Sequence, residues 1–123
     1  MVGKIFDCSN NRLSSLQGAP EKVGGFFWCC ENQLTDLKGA PSEVGGGFYC
    51  SENQLTDLKG APQKVGGDFN CEKNQLTTLE GKPEKIGGEF VVEKEVLARI
   101  EEAEKKKKMN NAVMGAMTDK LEM

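Results

Sequence analysis

Phe6, Phe27, Phe48, Phe69 and Phe90 lie 21 residues apart, and most other apolar positions up to residue 100 keep the same interval. Cys8, Cys29, Cys50 and Cys71 form a second column, closed by Val92. Asn11, Asn32, Asn53 and Asn74 form a third, closed by Glu95. Two leucine columns follow, at Leu13, Leu34, Leu55, Leu76 and Leu97, and at Leu16, Leu37, Leu58, Leu79 and Ile100. Each unit then carries a Gly-x-Pro step, from Gly18–Pro20 to Gly81–Pro83, and ends on Val23, Val44, Val65 or Ile86 followed by Gly-Gly. Self-similarity at this period marks a stacked repeat, in which each unit buries its apolar edge only against its neighbours. The composition suits that architecture. Hydrophobic residues make up 37% of the chain and glycines number 15, a lean mixture for a thick two-layer core.

Elementary chemistry accounts for each column. Phe and Cys alternate with polar residues, so a short strand turns both inward. Cysteine suits the second slot because it is small and readily buried. The asparagine amide offers donors and acceptors to backbone groups left unpaired where the strand ends, and stacked asparagines form a ladder. The two leucines fill the interior beneath that turn. Pro and Gly-Gly favour an irregular or extended return arm over a helix. Strands of successive units then pair in parallel, about 4.8 Å apart.

The unit F-x-C-x-x-N-x-L-x-x-L is similar to the leucine-rich-repeat template L-x-L-x-x-N-x-L. The segment N-Q-L-T-D-L-K-G-A-P-S-E-V-G-G at residues 32–46 resembles the short bacterial form of that repeat, with Gly-Ala-Pro in place of its Leu-Pro step and Gly-Gly-x-Phe in place of the next leucine pair. The fuller pattern, ending G-A-P-x-x-V-G-G, resembles repeat proteins of tailed bacteriophages and prophages. The resemblance covers residues 5 to about 92. It implies a leucine-rich-repeat solenoid: a parallel β-sheet of about five short strands with irregular return arms, a concave binding face and no shared catalytic residues. The solenoid is expected over residues 1–92, with a helical cap or dimerisation tail over 93–123.

Strand alternation nominates the outward residues. Asp7, Trp28, Tyr49, Asn70 and Val91 form one outer column; Asn10, Glu31, Glu52, Lys73 and Lys94 form another; Ser9, Cys30, Ser51, Glu72 and Glu93 lie between them. Trp28 and Tyr49 are the only Trp and Tyr of the chain and fall on adjacent strands. Large aromatics with a polar handle anchor protein interfaces, although a cross-strand aromatic pair also steadies a sheet by itself. The expected partner-binding set is Trp28, Tyr49, Glu31, Glu52, Ser51, Asn70 and Glu72. Its carboxylates either keep the surface solvated or match a basic patch on a partner protein.

Other chemistries find little support. The net charge of −3 argues against nucleic acid, and no apolar run spans a membrane. Residues Met1 to Phe6 lack the regions of a secretion signal, so a cytoplasmic location and reduced thiols are expected. The chain has no histidine and no C-x-x-C, so neither a metal nor another cofactor is expected. A shallow solenoid face offers no closed pocket for acid–base work, and no catalytic residue is assigned. The recurrent Gly-Gly pairs lack the Lys-Ser/Thr ending of a phosphate loop.

From Glu93 onward the composition favours helix. Val96, Leu97, Ile100 and Ala103 follow helical spacing and suit a cap over the last repeat. Lys105–Lys108 read as a solvated face, and Met109, Val113, Met114, Met117 and Leu121 form a second apolar stripe for packing or self-association. The unpaired first strand also invites a homodimer. The expected function is a non-catalytic protein-binding module of a bacterium or bacteriophage, such as an inhibitor of a host antiviral-defence protein. The alternative is a structural component that self-associates through strand edges or the helix.

Overall fold

The chain winds into a parallel β-solenoid of about four turns, because each 21-residue unit repeats the same two short extended stretches and the same two turns. The structure is a computed structural model that describes residues 3–121, with the side chains of residues 3–109. Along the described chain run β1 (Phe6–Asp7), β2 (Lys22–Val23), β3 (Phe27–Trp28), β4 (Glu43–Val44), β5 (Phe48–Tyr49), β6 (Lys64–Val65), β7 (Phe69–Asn70), β8 (Lys85–Ile86), β9 (Phe90–Val91) and α1 (Lys94–Leu121). The odd-numbered strands form a five-stranded parallel sheet and the even-numbered ones a four-stranded parallel sheet. Register is strict: Phe27 pairs with Phe48, Trp28 with Tyr49, and Val44 with Val65. The return arm is thus more regular than expected. Its Val column, buried at Val23, Val44 and Val65, is carried by a second sheet.

The interior holds the predicted columns. Phe27, Phe48, Phe69, Cys29, Cys50, Leu34, Leu37, Leu55 and Leu58 are fully buried. The phenylalanine rings stack along the axis, with centroids 5.1–5.8 Å apart and planes within 9° of parallel. Identical side chains in parallel register meet as copies, so the rings stack in parallel with a lateral offset.

The asparagine ladder works through the backbone. The Asn53 amide donates to the Cys29 carbonyl of the preceding coil at 3.0 Å and to the Cys50 and Ser51 carbonyls of its own at 3.1 and 3.2 Å. Its Oδ1 accepts the Leu34 N–H at 3.1 Å. Asn32 and Asn74 repeat the pattern. Among the described residues, no buried side-chain N or O lacks a partner.

Two glycine columns answer to geometry. Gly39 sits at φ +91°, where the Ala40 N–H bonds the Leu37 carbonyl at 3.0 Å; a positive φ at the third position of such a turn favours glycine. At Gly45 a Cβ would fall on the Gly24 carbonyl oxygen, so the coils approach there only without side chains.

The described residues divide into two compact units, the solenoid up to Glu93 and the helix from Lys94. The helix is 28 residues long, opens with Glu95 in its first turn and carries a Glu102–Lys106 pair at 3.8 Å. Val96, Leu97 and Ile100 are its least exposed described side chains. Beyond Met109, the second expected apolar stripe lies outside the described side chains. No helix among the described residues is long and apolar enough to cross a membrane.

Replacing Asn53 by Ala strands the buried Leu34 N–H, while the Cys29 and Cys50 carbonyls keep the amides of Asn32 and Asn74. The expected loss is about 2 kcal/mol in urea unfolding followed by circular dichroism, since one orphaned buried group costs roughly 1–3 kcal/mol. A loss below about 1 kcal/mol contradicts this role.

Candidate binding face of the five-stranded sheet

Parallel register turns every outward position into a column on the face of the five-stranded sheet. Trp28 and Tyr49 stack with ring centroids 4.1 Å apart and planes 16° from parallel. Phe26 joins them, its ring centroid 6.2 Å from that of Tyr49 at a 40° tilt. A side chain at Gly47 would collide with the Tyr49 ring, so the glycine there leaves room for the tyrosine. Ile5, Phe26 and Trp28 are 59%, 42% and 37% exposed; besides Met109, they are the exposed large hydrophobics of the described chain. Phe26, Trp28 and Tyr49 thus form one aromatic cluster on this face. Phe26 was absent from the expected set. It stands two residues before Trp28, so strand alternation extended one step backward puts it on the same face.

Of the expected residues, Trp28, Tyr49 and Asn70 lie on strands of this sheet, Ser51 and Glu72 just past them, and Glu31 and Glu52 in the turn that follows. Asn70 Oδ1 accepts the Glu72 N–H at 3.0 Å and its amide lies 3.4 Å from Glu72 Oε1. Ser51 donates its hydroxyl to Cys30 Sγ at 3.3 Å, and that thiol lies 3.4 Å from the Tyr49 carbonyl. Cys30 is therefore a half-buried, bonded group. Glu31 and Glu52 lie past the strands, in a left-handed turn with φ of 55° and 57°, and Asn10 and Lys73 occupy the same turn at 59° and 55°. Strands two residues long cannot carry alternation that far. Each N–H of this column is still satisfied: Glu31 N–H bonds the Ser51 carbonyl, Glu52 N–H the Glu72 carbonyl, and Lys73 N–H the Glu93 carboxylate, all at 3.1 Å. Glu52 also lies 3.5 Å from Lys73.

Burial, with the Asp68 carboxylate second, pushes the Tyr49 phenol up, so the ring stays neutral across the physiological range. The columnar thiols are raised too. Burial is the leading cause at Cys8, Cys29, Cys50 and Cys71, and Cys71 is pushed up to about 12 with Glu93 and Glu72 adding to the effect. Cys29 and Cys50 lie 3.4 and 3.3 Å from carbonyls of the next coil, as thiol donors. These are packing groups, whose raised values suppress the nucleophilic thiolate. Among the described residues, no group of three or more His, Cys, Asp and Glu is placed to share an ion.

The surface hollows lie elsewhere. One of about 340 Å³ on the return-arm sheet is lined by Lys22, Glu43, Lys64 and the Gly24–Gly45–Gly66 strip. Another of about 190 Å³ lies at the first coil between Phe6, Cys8, Leu13 and Leu16. Comparison of the chain with protein-family models, with curated proteins and with solved structures finds no match.

Three measurements follow from this geometry. In the folded chain at pH 8 a thiol reagent should label Cys30 first and leave Cys29, Cys50 and Cys71 intact until denaturant is added. Folding raises Cys71 from 9.0 to about 12, so its stabilising contribution is complete below pH 9 and is lost as pH rises through about 12. Urea midpoints should accordingly fall between pH 8 and pH 10.5. Glu31→Asn, which suits the left-handed turn, should raise stability by about 0.5 kcal/mol; a fall in the urea midpoint contradicts the assigned strain.

Proposed function

We propose that the chain is a non-catalytic protein-binding module whose contact surface is the outer face of the five-stranded sheet. The single observation that carries this reading is the Phe26–Trp28–Tyr49 cluster, with Phe26 and Trp28 exposed and Tyr49 half-buried beside them on an in-register sheet. Interfaces draw most of their binding energy from a few such anchors ringed by polar groups. Here Glu31, Glu52, Ser51, Asn70 and Glu72 supply that rim, and its acidity suits a partner with a basic patch. The repeat's resemblance to short bacterial and bacteriophage leucine-rich repeats supports a partner inside a bacterial cell. A host antiviral-defence protein, bound and inhibited by a phage-encoded module, fits that setting.

A second reading is self-association, favoured by the first coil. There the core residues Phe6, Cys8 and Leu13 are only half-buried around the 190 Å³ hollow. Strand edges of this kind pair with further chains. Light scattering over a hundred-fold concentration range separates the two readings, because only self-association gives a mass that rises with concentration.

The double change Trp28→Ala and Tyr49→Ala should leave the circular dichroism spectrum unchanged, since neither ring belongs to the buried core. It should reduce capture of the partner from a bacterial lysate at least ten-fold, as expected for two anchors worth about 1 kcal/mol or more each. Undiminished capture of the same protein by the double variant removes the sheet face as the binding surface.

A further inference from the structure

The sheet face joins two chemistries that single out one kind of ligand group. Asp7, Trp28, Tyr49 and Asn70 are successive partners across the strands. The stacked pair thus leaves the outer face of Trp28 toward Asp7 and the outer face of Tyr49 toward the fourth coil. There Asp68 precedes Phe69 in the column of Phe26 and Gly47, close enough to Tyr49 to act on its phenol. Each ring therefore has a carboxylate of a neighbouring strand or its lead-in beside it, Asp7 at Trp28 and Asp68 at Tyr49.

Both carboxylates are held in place. Asp7 Oδ1 accepts the Ser9 N–H at 3.0 Å and Asp68 Oδ1 accepts the Glu89 N–H at 2.8 Å. The second oxygen of each keeps its capacity to accept. Across the first four coils, the four surface columns hold five carboxylates, Asp7, Glu31, Glu52, Asp68 and Glu72, against one ammonium, Lys73, which lies 3.5 Å from Glu52. The face is apolar at its centre and negative around it.

A planar cation meets both demands at once. A guanidinium lays its weakly hydrated plane on an aromatic ring while its edge donates paired N–H groups to a carboxylate. A lysine ammonium is compact and strongly hydrated, and satisfies the ring less well. An acidic segment or a phosphate backbone is repelled by the surrounding charge.

We propose that this face receives arginine side chains of a basic segment on another protein, one stacked on Trp28 against Asp7 and one on Tyr49 against Asp68. This rests on reading the sheet face as the binding surface, and it names the group that the surface recognises.

Trp28 is the only tryptophan, so its emission reports the site directly. The probe is the synthetic peptide Gly-Arg-Gly-Arg-Gly, titrated into the full chain at low salt beside its lysine and citrulline counterparts. The arginine peptide should quench Trp28 emission saturably, the lysine peptide should bind about three-fold or more weaker, and the neutral citrulline peptide should give no saturable change. The double variant Asp7→Asn, Asp68→Asn keeps an Oδ1 for each backbone N–H and loses only the charges. It should retain the fold and weaken the arginine peptide at least five-fold. No saturable response up to millimolar arginine peptide overturns the proposal, as does a citrulline response equal to that of arginine, or a double variant that binds like the parent. If the Trp28→Ala, Tyr49→Ala chain loses its partner while the Asp7→Asn, Asp68→Asn chain captures it undiminished, the sheet face stands and the arginine assignment falls.

Discussion

Asn53 donates to a carbonyl of the coil before it and to two of its own while accepting an N–H from the earlier coil, and the flanking asparagines do the same. A primary amide has two donors and an acceptor with two lone pairs, and here one donated bond and one accepted bond cross to the preceding turn while the rest hold the turn of its own coil. In a buried position an unmet backbone group is costly, so slippage of one coil against the next is penalised at every asparagine. The fixed alignment then places ring on ring, thiol beneath thiol and leucine on leucine, and each column becomes a continuous apolar rod. Hydrophobic burial supplies most of the stabilisation, while the amides decide which arrangement receives it.

The same alignment sorts the chain into an interior that repeats and a surface that does not. Phe, Cys, Asn, Leu and Gly-Gly recur because neighbouring copies share one environment. The outward columns answer to no such demand, and there the units diverge: Ile5 gives way to Phe26, Gly47 and Asp68, and Asp7 to Trp28, Tyr49 and Asn70. Gly47 is informative because its lack of a side chain serves its neighbour, opening the space that Tyr49 fills. A rigid lattice with variable decoration is a suitable base for recognition, since anchors held in place lose little conformational freedom on binding.

Much of this was legible from residues alone. The phenylalanine, cysteine, asparagine and leucine columns announce a coil of fixed length, and alternation around Phe27 and Cys29 turns Trp28 outward, where the structure has it. Three features were less accessible. The second sheet rests on pairs such as Lys22–Val23 and Glu43–Val44, too short to show alternation and flanked by Pro and Gly, which suggest irregular chain. The left-handed turn at Glu31 and Glu52 is hidden because glutamate is not a residue that favours it; stacking of neighbouring turns imposes it. Phe26 stands one step before its strand, where the units carry Ile5, Phe26, Gly47, Asp68 and Glu89 and no recurring residue type signals an outward side.

The glycine strip from Gly24 to Gly66 brings backbone against backbone with no side chain to absorb a mismatch. A loop on a globular domain tolerates an extra residue by bulging; a coil closed this tightly has nowhere to put one. Length in this molecule is therefore quantised. A change of one or two residues within a coil shears the whole stack, whereas adding or deleting one complete period leaves every neighbour relation intact and simply lengthens or shortens the recognition surface by one strand's width.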